Sequence, residues 1–68
     1  MTDRVYKKIE VTGCSGESIE KAIRLAVGKA GESLHGLAWF EVKELRGGIG
    51  PALTIEWQVT VEVAFKLD

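Results

Sequence analysis

Hydrophobic and polar residues alternate near the start of the chain, in "RVYKKIEVT" at residues 4–12. Val5, Ile9 and Val11 lie on one side of an extended backbone, because successive side chains of a strand point to opposite faces. Such alternation is typical of a strand with one buried face, and we predict the first strand here. The turn-forming residues "GCSG" at 13–16 predict its end.

A second segment repeats its hydrophobic residues at steps of three and four, which is the spacing of one helix face. The stripe consists of Ile19, Ala22, Ile23, Ala26, Val27, Ala30 and Leu34. Ser15 is the predicted N-cap, and Glu17 follows it in the first turn, where a negative charge suits the helix dipole. Gly28 lowers helix propensity, and one reason for such a glycine is close packing against a sheet.

Two further stretches alternate, at residues 37–46 and, more regularly, at 53–67. In the last stretch the odd positions are hydrophobic and the even positions are polar, with Ala64 as the one apolar member of the even row. A strand of this length exceeds the usual five or six residues. A helix of about 16 residues spans only about 24 Å, so we expect the ends of this strand to pack on something else.

The order of these elements predicts an α+β fold with the order β-α-β-β, in which one amphipathic helix covers one face of a three-stranded sheet. The turn-forming residues "GGIGP" at 47–51 predict a short loop, so the last two strands pair antiparallel. We expect residues 1–68 to form a single domain. In the second strand, one predicted row holds Ala38, Phe40 and Val42, and the other holds Leu37, Trp39, Glu41, Lys43 and Leu45.

Trp39 and Gln58 are both predicted on the sheet face away from the helix, and this placement leaves two interpretations of Trp39 open. The indole forms the centre of an interface between copies, where tryptophan is enriched, or it is a platform on which a flat ligand stacks. The carboxamide of Gln58 offers one acceptor and two donors. Such a group can pair with the donor and acceptor edge of a heterocycle.

The size of the chain favours association. A domain of 68 residues buries only about 60% of the surface that its unfolded form exposes, so small folds usually rely on disulfides, metals or oligomerisation. The single cysteine and the single histidine exclude an internal disulfide and a Cys/His metal cluster. Association with other copies is the remaining source of stability.

Charge and hydropathy argue against several classes of partner. The formal net charge is −1 and the two signs are interspersed, which gives no surface for nucleic acid or an anionic membrane. No apolar run approaches the roughly 18 residues of a membrane span. The start of the chain, "MTDRVYKK", lacks the apolar stretch of a signal peptide. We therefore expect a cytoplasmic protein.

Three stretches around the amphipathic helix carry a family resemblance. In order, "VYKKIEVTGCS", "LAWFEVKELRG" and "WQVTVEVAFKL" resemble the dodecin family of small flavin-binding proteins. The resemblance covers nearly the whole chain, from about Val5 to Leu67. It implies a β-α-β-β subunit whose three-stranded antiparallel sheet is wrapped around the helix, and a hollow homododecamer in which riboflavin, FMN or FAD binds between subunits.

The resemblance also implies roles for four residues. Trp39 would stack on the isoalloxazine and Gln58 would pair with its pyrimidine-like edge. Arg46, in the "RG" pair, would lie beside the ligand, and Lys66 stands where a basic residue accompanies phosphate-bearing ligands. The family is not regarded as enzymatic, so the implied function is a flavin store that quenches the bound cofactor.

Some features depart from the family pattern. Cys14 occupies a position where threonine or serine is expected, and we interpret it as a small residue of the strand–helix turn. The histidine that many members carry after "RG" is absent, which removes any ligand contact made by that side chain. Trp57 lies on the inner face by parity, and we interpret it as core or hairpin-end packing.

Three alternatives remain beside the flavin store. The first is a structural or interaction oligomer with Trp39 as interface core, and the second is a protein that binds coenzyme A or calcium. The third is a flavin-dependent enzyme, which needs a proton-transferring residue beside the ring. The only candidates for that role are glutamates, which we expect to be solvated or paired across strands: Glu41, Glu44, Glu56 and Glu62.

Overall fold

The computed structural model describes residues 3–68 as a three-stranded antiparallel sheet with one helix on one face. The strands are β1 (Val5–Ser15), β2 (Leu37–Ile49) and β3 (Ile55–Leu67), and the helix is α1 (Ile19–Ser33). A single 3₁₀ turn at Pro51–Leu53 joins β2 to β3. The α+β class and the order β-α-β-β are confirmed.

The last strand of the chain occupies the centre of the sheet. The order across the sheet is β1-β3-β2, and β3 pairs antiparallel with both neighbours. Because β3 is flanked on both edges and lies under the helix, Val59, Val61 and Val63 are almost completely buried. This position explains why β3 shows the most regular alternation in the sequence.

The helix packs on β1 and β3 through its smallest side chains. Ala22, Ala26 and Ala30 are buried against the valines of β3, and their size lets the helix backbone approach the sheet closely. A Cβ placed on Gly13 of β1 would collide with the main-chain carbonyl oxygen of Ala22. No helix in the described part of the chain has the length and apolar character needed to cross a membrane.

The helix begins three residues later than predicted. Ser18, and not Ser15, is the N-cap, since its hydroxyl accepts a hydrogen bond from the N–H of Lys21 at 3.0 Å. Ser15 is the last residue of β1, where it is buried and accepts from the N–H of Glu17 at 3.0 Å. The first strand continues through "GCS" because it pairs there with β3, a contact between distant parts of the chain.

Two other local predictions are wrong. Outside its own helix, no atom of the described residues lies within 4 Å of a Cβ placed on Gly28, so this glycine does not serve close packing against the sheet. The loop predicted at 47–51 begins later, because β2 pairs with β3 as far as Ile49. Cross-strand hydrogen bonds thus extend the strand through two glycines that, read locally, predict a turn.

Two register shifts change which side chains of β2 face the helix. They occur between Leu37 and Trp39 and between Val42 and Glu44, and each inserts one extra residue relative to β3. An extra residue reverses the alternation of the strand, so that each side chain beyond it points to the opposite face of the sheet. Leu37 and Leu45 therefore lie on the helix side of the sheet, contrary to the predicted row.

The β2–β3 hairpin extends beyond the helix. The chain measures 55 × 20 × 14 Å, whereas the 15-residue helix spans about 22 Å. At the hairpin end, Ile49, Leu53 and Ile55 are between 56% and 80% exposed. β3 begins two residues later than predicted, because Pro51–Leu53 forms the turn, but it still outruns the helix as its length predicted. That its ends pack on something else stays a prediction.

The helix does not cover β2, so the helix-facing side of this strand is largely exposed. Phe40, Val42 and Leu45 are each about half exposed, because α1 lies over β1 and β3. A groove of about 470 Å³ runs between the helix and this strand, with Ile23 and Val27 on the helix side and Phe40 on the strand side. The chain therefore presents apolar surface along one edge as well as at the hairpin end.

Candidate functional site

The four predicted site residues lie on one face of the sheet. The face of the sheet that points away from α1 is here called the outer face. Alternate residues of all three strands lie on it: Tyr6, Lys8, Glu10, Thr12 and Cys14 of β1; Trp39, Glu41, Glu44, Arg46 and Gly48 of β2; and Glu56, Gln58, Thr60, Glu62, Ala64 and Lys66 of β3. Trp57 lies in the opposite row of β3, on the inner face as predicted. The candidate residues occupy the two ends of the outer face, which differ in chemistry.

The hairpin end of the outer face contains Arg46 and Gln58, which are directly paired across β2 and β3. Arg46 Nε donates a hydrogen bond to Gln58 Oε1 at 2.6 Å, and Gln58 Nε2 donates to Glu56 Oε1 at 3.0 Å. The guanidinium also lies 3.6 Å from Glu44, measured from Nη1 to Oε1. Both ends of the Gln58 amide are therefore oriented by charged neighbours.

The second register shift is what brings Arg46 to this place. Simple alternation from Trp39 would put residue 46 in the opposite row, facing the helix side. The extra residue between Val42 and Glu44 exchanges the rows, so that Arg46 lies opposite Gln58. Sequence reasoning named Arg46 from the family resemblance alone, and periodicity by itself would have excluded it.

Cys14 is a further residue of the hairpin end. It pairs with Gln58 across β1 and β3, on the side opposite Arg46, and its thiol is free and exposed. Side chains paired in this way have Cβ atoms about 4.5–5.5 Å apart. Sequence reasoning assigned Cys14 to a turn, because "GCSG" gives no local sign that β1 continues.

The aromatic end of the outer face is formed by Tyr6, Trp39 and Lys66. The rings of Tyr6 and Trp39 have centroids 4.9 Å apart with planes inclined at 58°, although they belong to the two edge strands. They meet across the central strand at Ala64, which pairs with Trp39 and is fully buried. This contact explains the single apolar residue in the even row of β3.

The Trp39 indole remains 45% exposed despite its contact with Tyr6. Lys66 pairs with Tyr6 across β1 and β3, so a cationic side chain lies at the same end as the indole. Tyr6 was not among the site residues predicted from the sequence. Its signal was the even position in β1, which alone does not reveal a contact two strands away.

The two ends of the outer face are far apart within the chain. Gln58 and Ala64, which mark them on β3, are six residues apart, or about 20 Å along an extended strand. One flat heterocycle cannot contact both Trp39 and Gln58 of the same chain over that distance. The structure therefore brings Arg46 together with Gln58, and Trp39 together with Lys66, but it does not join the two pairs.

A charged cluster occupies the space between the two ends. Lys8 Nζ lies 3.1 Å from Glu62 Oε1 and 3.7 Å from Glu41 Oε1, and Lys43 Nζ lies 4.0 Å from Glu62 Oε1. The hydrogen bond and charge of Glu62 hold the pKa of Lys8 above its usual range. These glutamates are paired across strands, as expected. Within residues 3–68, no cluster of three or more His, Cys, Asp or Glu side chains is placed to hold a metal ion.

Comparison with known proteins gives one consistent result. A protein-family profile described as Dodecin matches residues 5–68. A dodecin of Thermus thermophilus is 51% identical over 65 residues, which cover 96% of this chain and 94% of that protein. A solved structure from Thermus thermophilus, 50% identical, superposes with a TM-score of 0.90 and covers 97% of both chains.

A more distant relative of known structure carries calcium in its name. The calcium dodecin of Mycobacterium tuberculosis, with a novel calcium-binding site, is 33% identical and has a TM-score of 0.86. The match covers 94% of this chain and 91% of that chain. The same fold thus extends to a relative whose described ligand is calcium.

Proposed function

Because this chain belongs to the dodecin family, we propose that it is a flavin-binding storage protein that acts as a hollow homododecamer. It takes up riboflavin, FMN or FAD and sequesters the cofactor. The observation that carries the proposal is the exposed Trp39 indole on the outer face. A soluble domain gains by covering such a ring, and a flat aromatic ligand covers it by stacking.

The hairpin end supplies the polar part of the site. Gln58 keeps one acceptor lone pair and one amide N–H beyond its bonds to Arg46 and Glu56. The pyrimidine-like edge of an isoalloxazine offers the complementary N–H and carbonyl groups. Arg46 holds the amide and adds positive charge beside the ligand, and Lys66 provides a point charge for the phosphate of FMN or FAD.

The separation of the two ends requires that the site be shared between copies. Trp39 of one subunit and Gln58 of another meet on the same ligand, since about 20 Å separates the two ends within one chain. The exposed apolar residues of the hairpin end and of β2 form the contacts of the assembly. Ligand and assembly then stabilise each other, because the ligand binds only the assembled state.

The site is for binding and not for turnover. The carboxylates of Glu41, Glu44, Glu56 and Glu62 each contact a cation or the Gln58 amide, so none of the four is free to reach a ligand as a proton-transferring group. A stacked indole quenches the excited flavin, which suits a protective store. Bound flavin should therefore be reduced by NADH no faster than free flavin. The single-domain organisation and cytoplasmic location remain predictions of the sequence.

The direct test is a titration of riboflavin and FMN into the purified protein, followed by flavin fluorescence, with the mass of the particle measured in parallel. We expect saturable quenching at about one flavin per subunit on a particle of about twelve chains. Trp39→Ala should weaken binding at least about tenfold and leave the particle mass unchanged. Unaltered affinity in this variant would refute the stacking role.

A second candidate is an oligomer whose ligand is calcium or coenzyme A and in which Trp39 is interface core. The calcium dodecin of Mycobacterium tuberculosis favours the calcium version. If this second candidate is correct, Trp39→Ala dissociates the particle and riboflavin does not bind to the parent protein. Calorimetric titrations of Ca²⁺ and coenzyme A into the same preparation separate this candidate from the flavin store.

A further inference from the structure

The amide of Gln58 is held at both of its polar atoms. Arg46 approaches Oε1 from β2 at 2.6 Å, and Glu56, two residues earlier on β3, accepts from Nε2 at 3.0 Å. One hydrogen bond would leave the amide free to swing about that contact. Two bonds at opposite atoms define both its plane and the direction in which oxygen and nitrogen point.

Gly48 provides the space in which this amide lies. It pairs with Glu56 across β2 and β3, and a Cβ placed on it would lie 2.8 Å from Gln58 Nε2. That separation is shorter than ordinary contact, so any larger residue would displace the amide nitrogen. Within the described residues, Gly36 is the glycine with positive φ, so Gly48 is not required here for backbone conformation.

We infer that Glu56 and Gly48 are positioning residues that fix how Gln58 presents its remaining donor and acceptor. The inference rests on the proposed flavin function and names the part of the ligand that is selected: an imide edge, with N–H beside carbonyl. Glu56 acts as a hydrogen-bond acceptor through Gln58. A ligand that cannot offer the N–H loses the pairing for which the amide is oriented.

The experiment compares two probes, riboflavin and N3-methylriboflavin, in which a methyl group replaces the imide hydrogen. Both are titrated into the parent protein and into Glu56→Ala, Glu56→Gln and Gly48→Ala, with particle mass recorded for each. We expect the parent to prefer riboflavin. Glu56→Ala and Gly48→Ala should bind riboflavin about three- to tenfold more weakly and lose most of that preference.

Conservative and neighbouring variants separate positioning from general damage. Glu56→Gln keeps an acceptor oxygen and should retain the preference for riboflavin. Gly47→Ala is the match for Gly48→Ala, because a Cβ at Gly47 would lie an ordinary 3.7 Å from the Ile55 side chain, its nearest neighbour beyond the adjacent residues. Glu32→Ala removes one negative charge from the helix and should behave like the parent.

The outcomes distinguish the inference from the function on which it rests. If the parent binds riboflavin and prefers it, but Glu56→Ala and Gly48→Ala show the same affinity and preference, the positioning role is overturned and the flavin function stands. If the parent binds neither probe, both are overturned. Loss of preference in the two variants, with the particle intact and Glu56→Gln unaffected, supports the inference.

Discussion

At the scale of single residues, the outer face is organised by pairs of side chains from different strands. Gln58 is oriented by Arg46, and Trp39 is oriented by Tyr6. Gln58, Arg46 and Trp39 were predicted from the sequence as ligand contacts, whereas Tyr6 was not. In each pair the partner sets the direction of the pairing or stacking group, which matters because such a group is effective only when it is already in position.

Tyr6 should control the orientation of the Trp39 ring. Its ring lies 4.9 Å from the indole, centroid to centroid, so Tyr6→Ala frees the indole and should weaken riboflavin binding by about threefold. Tyr6→Phe keeps the ring and should bind like the parent. Fluorescence titration measures both variants, and equal affinity of Tyr6→Ala and the parent would show that Trp39 needs no such support.

At the scale of secondary structure, pairing with β3 overrides local signals in both edge strands. β1 continues through "GCS" and β2 through two glycines because their backbone groups pair with the central strand. These extensions bring Cys14 and Gly48 next to Gln58, one of the candidate site residues. The local sequence favours a turn at both places, so the site could not be completed from local patterns.

The extension of β1 makes Cys14 a reporter of the hairpin end. If ligand binds at Gln58, the exposed thiol beside it becomes less accessible, and riboflavin should slow its reaction with a thiol reagent severalfold. Cys14→Ser, which lacks the thiol, is the blank for the assay. A reaction rate that saturating riboflavin does not change would place the ligand away from this end.

The contact between α1 and β1 is so close that it leaves no room for a side chain at Gly13. Because a Cβ on Gly13 collides with the carbonyl oxygen of Ala22, Gly13→Ala must push the helix away from the sheet. We expect a loss of about 1–3 kcal/mol in the free energy of unfolding, as for overpacked cores. Gly16→Ala is the matched control, since apart from its chain neighbours no described atom lies within 4 Å of its Cβ. Chemical denaturation compares the two, and equal midpoints would contradict the collision.

At the scale of the whole molecule, the subunit is too elongated to bury its own apolar surface. The hairpin projects beyond the helix, and β2 is half exposed on its apolar side. A chain of this size has little stability to spare, so association is the simplest way to cover these side chains. The same association would bring Trp39 and Gln58 of different copies together.

The hairpin end provides a test of that assembly. Ile55 is 56% exposed in the isolated subunit, and Ile55→Asp would place an unpaired charge in any interface that covers it. We expect the particle mass measured by light scattering to fall and riboflavin binding to be lost with it. Ile55→Val keeps an apolar side chain and should remain assembled. A full-sized particle that still binds riboflavin in Ile55→Asp would exclude this surface from the assembly.

The sequence by itself determined the number, type and order of the elements, the helix-facing rows of β1 and β3, and the placement of Trp39 and Gln58 on one face. These follow from residue spacing, because periods of two and of three to four are local properties of the backbone. The family resemblance added Arg46 and Lys66 as candidates.

Only the tertiary structure decided the central position of β3, the two register shifts and the contacts that orient the site. Each depends on which distant segments pair, which local spacing does not encode. The shift between Val42 and Glu44 places Arg46 beside Gln58, and the small Ala64 lets Tyr6 and Trp39 meet across the central strand. The pairing of β2 with β3 also places Trp39 beside Ala64, far along the strand from Gln58. This distance is the physical reason that one chain cannot form the proposed site alone.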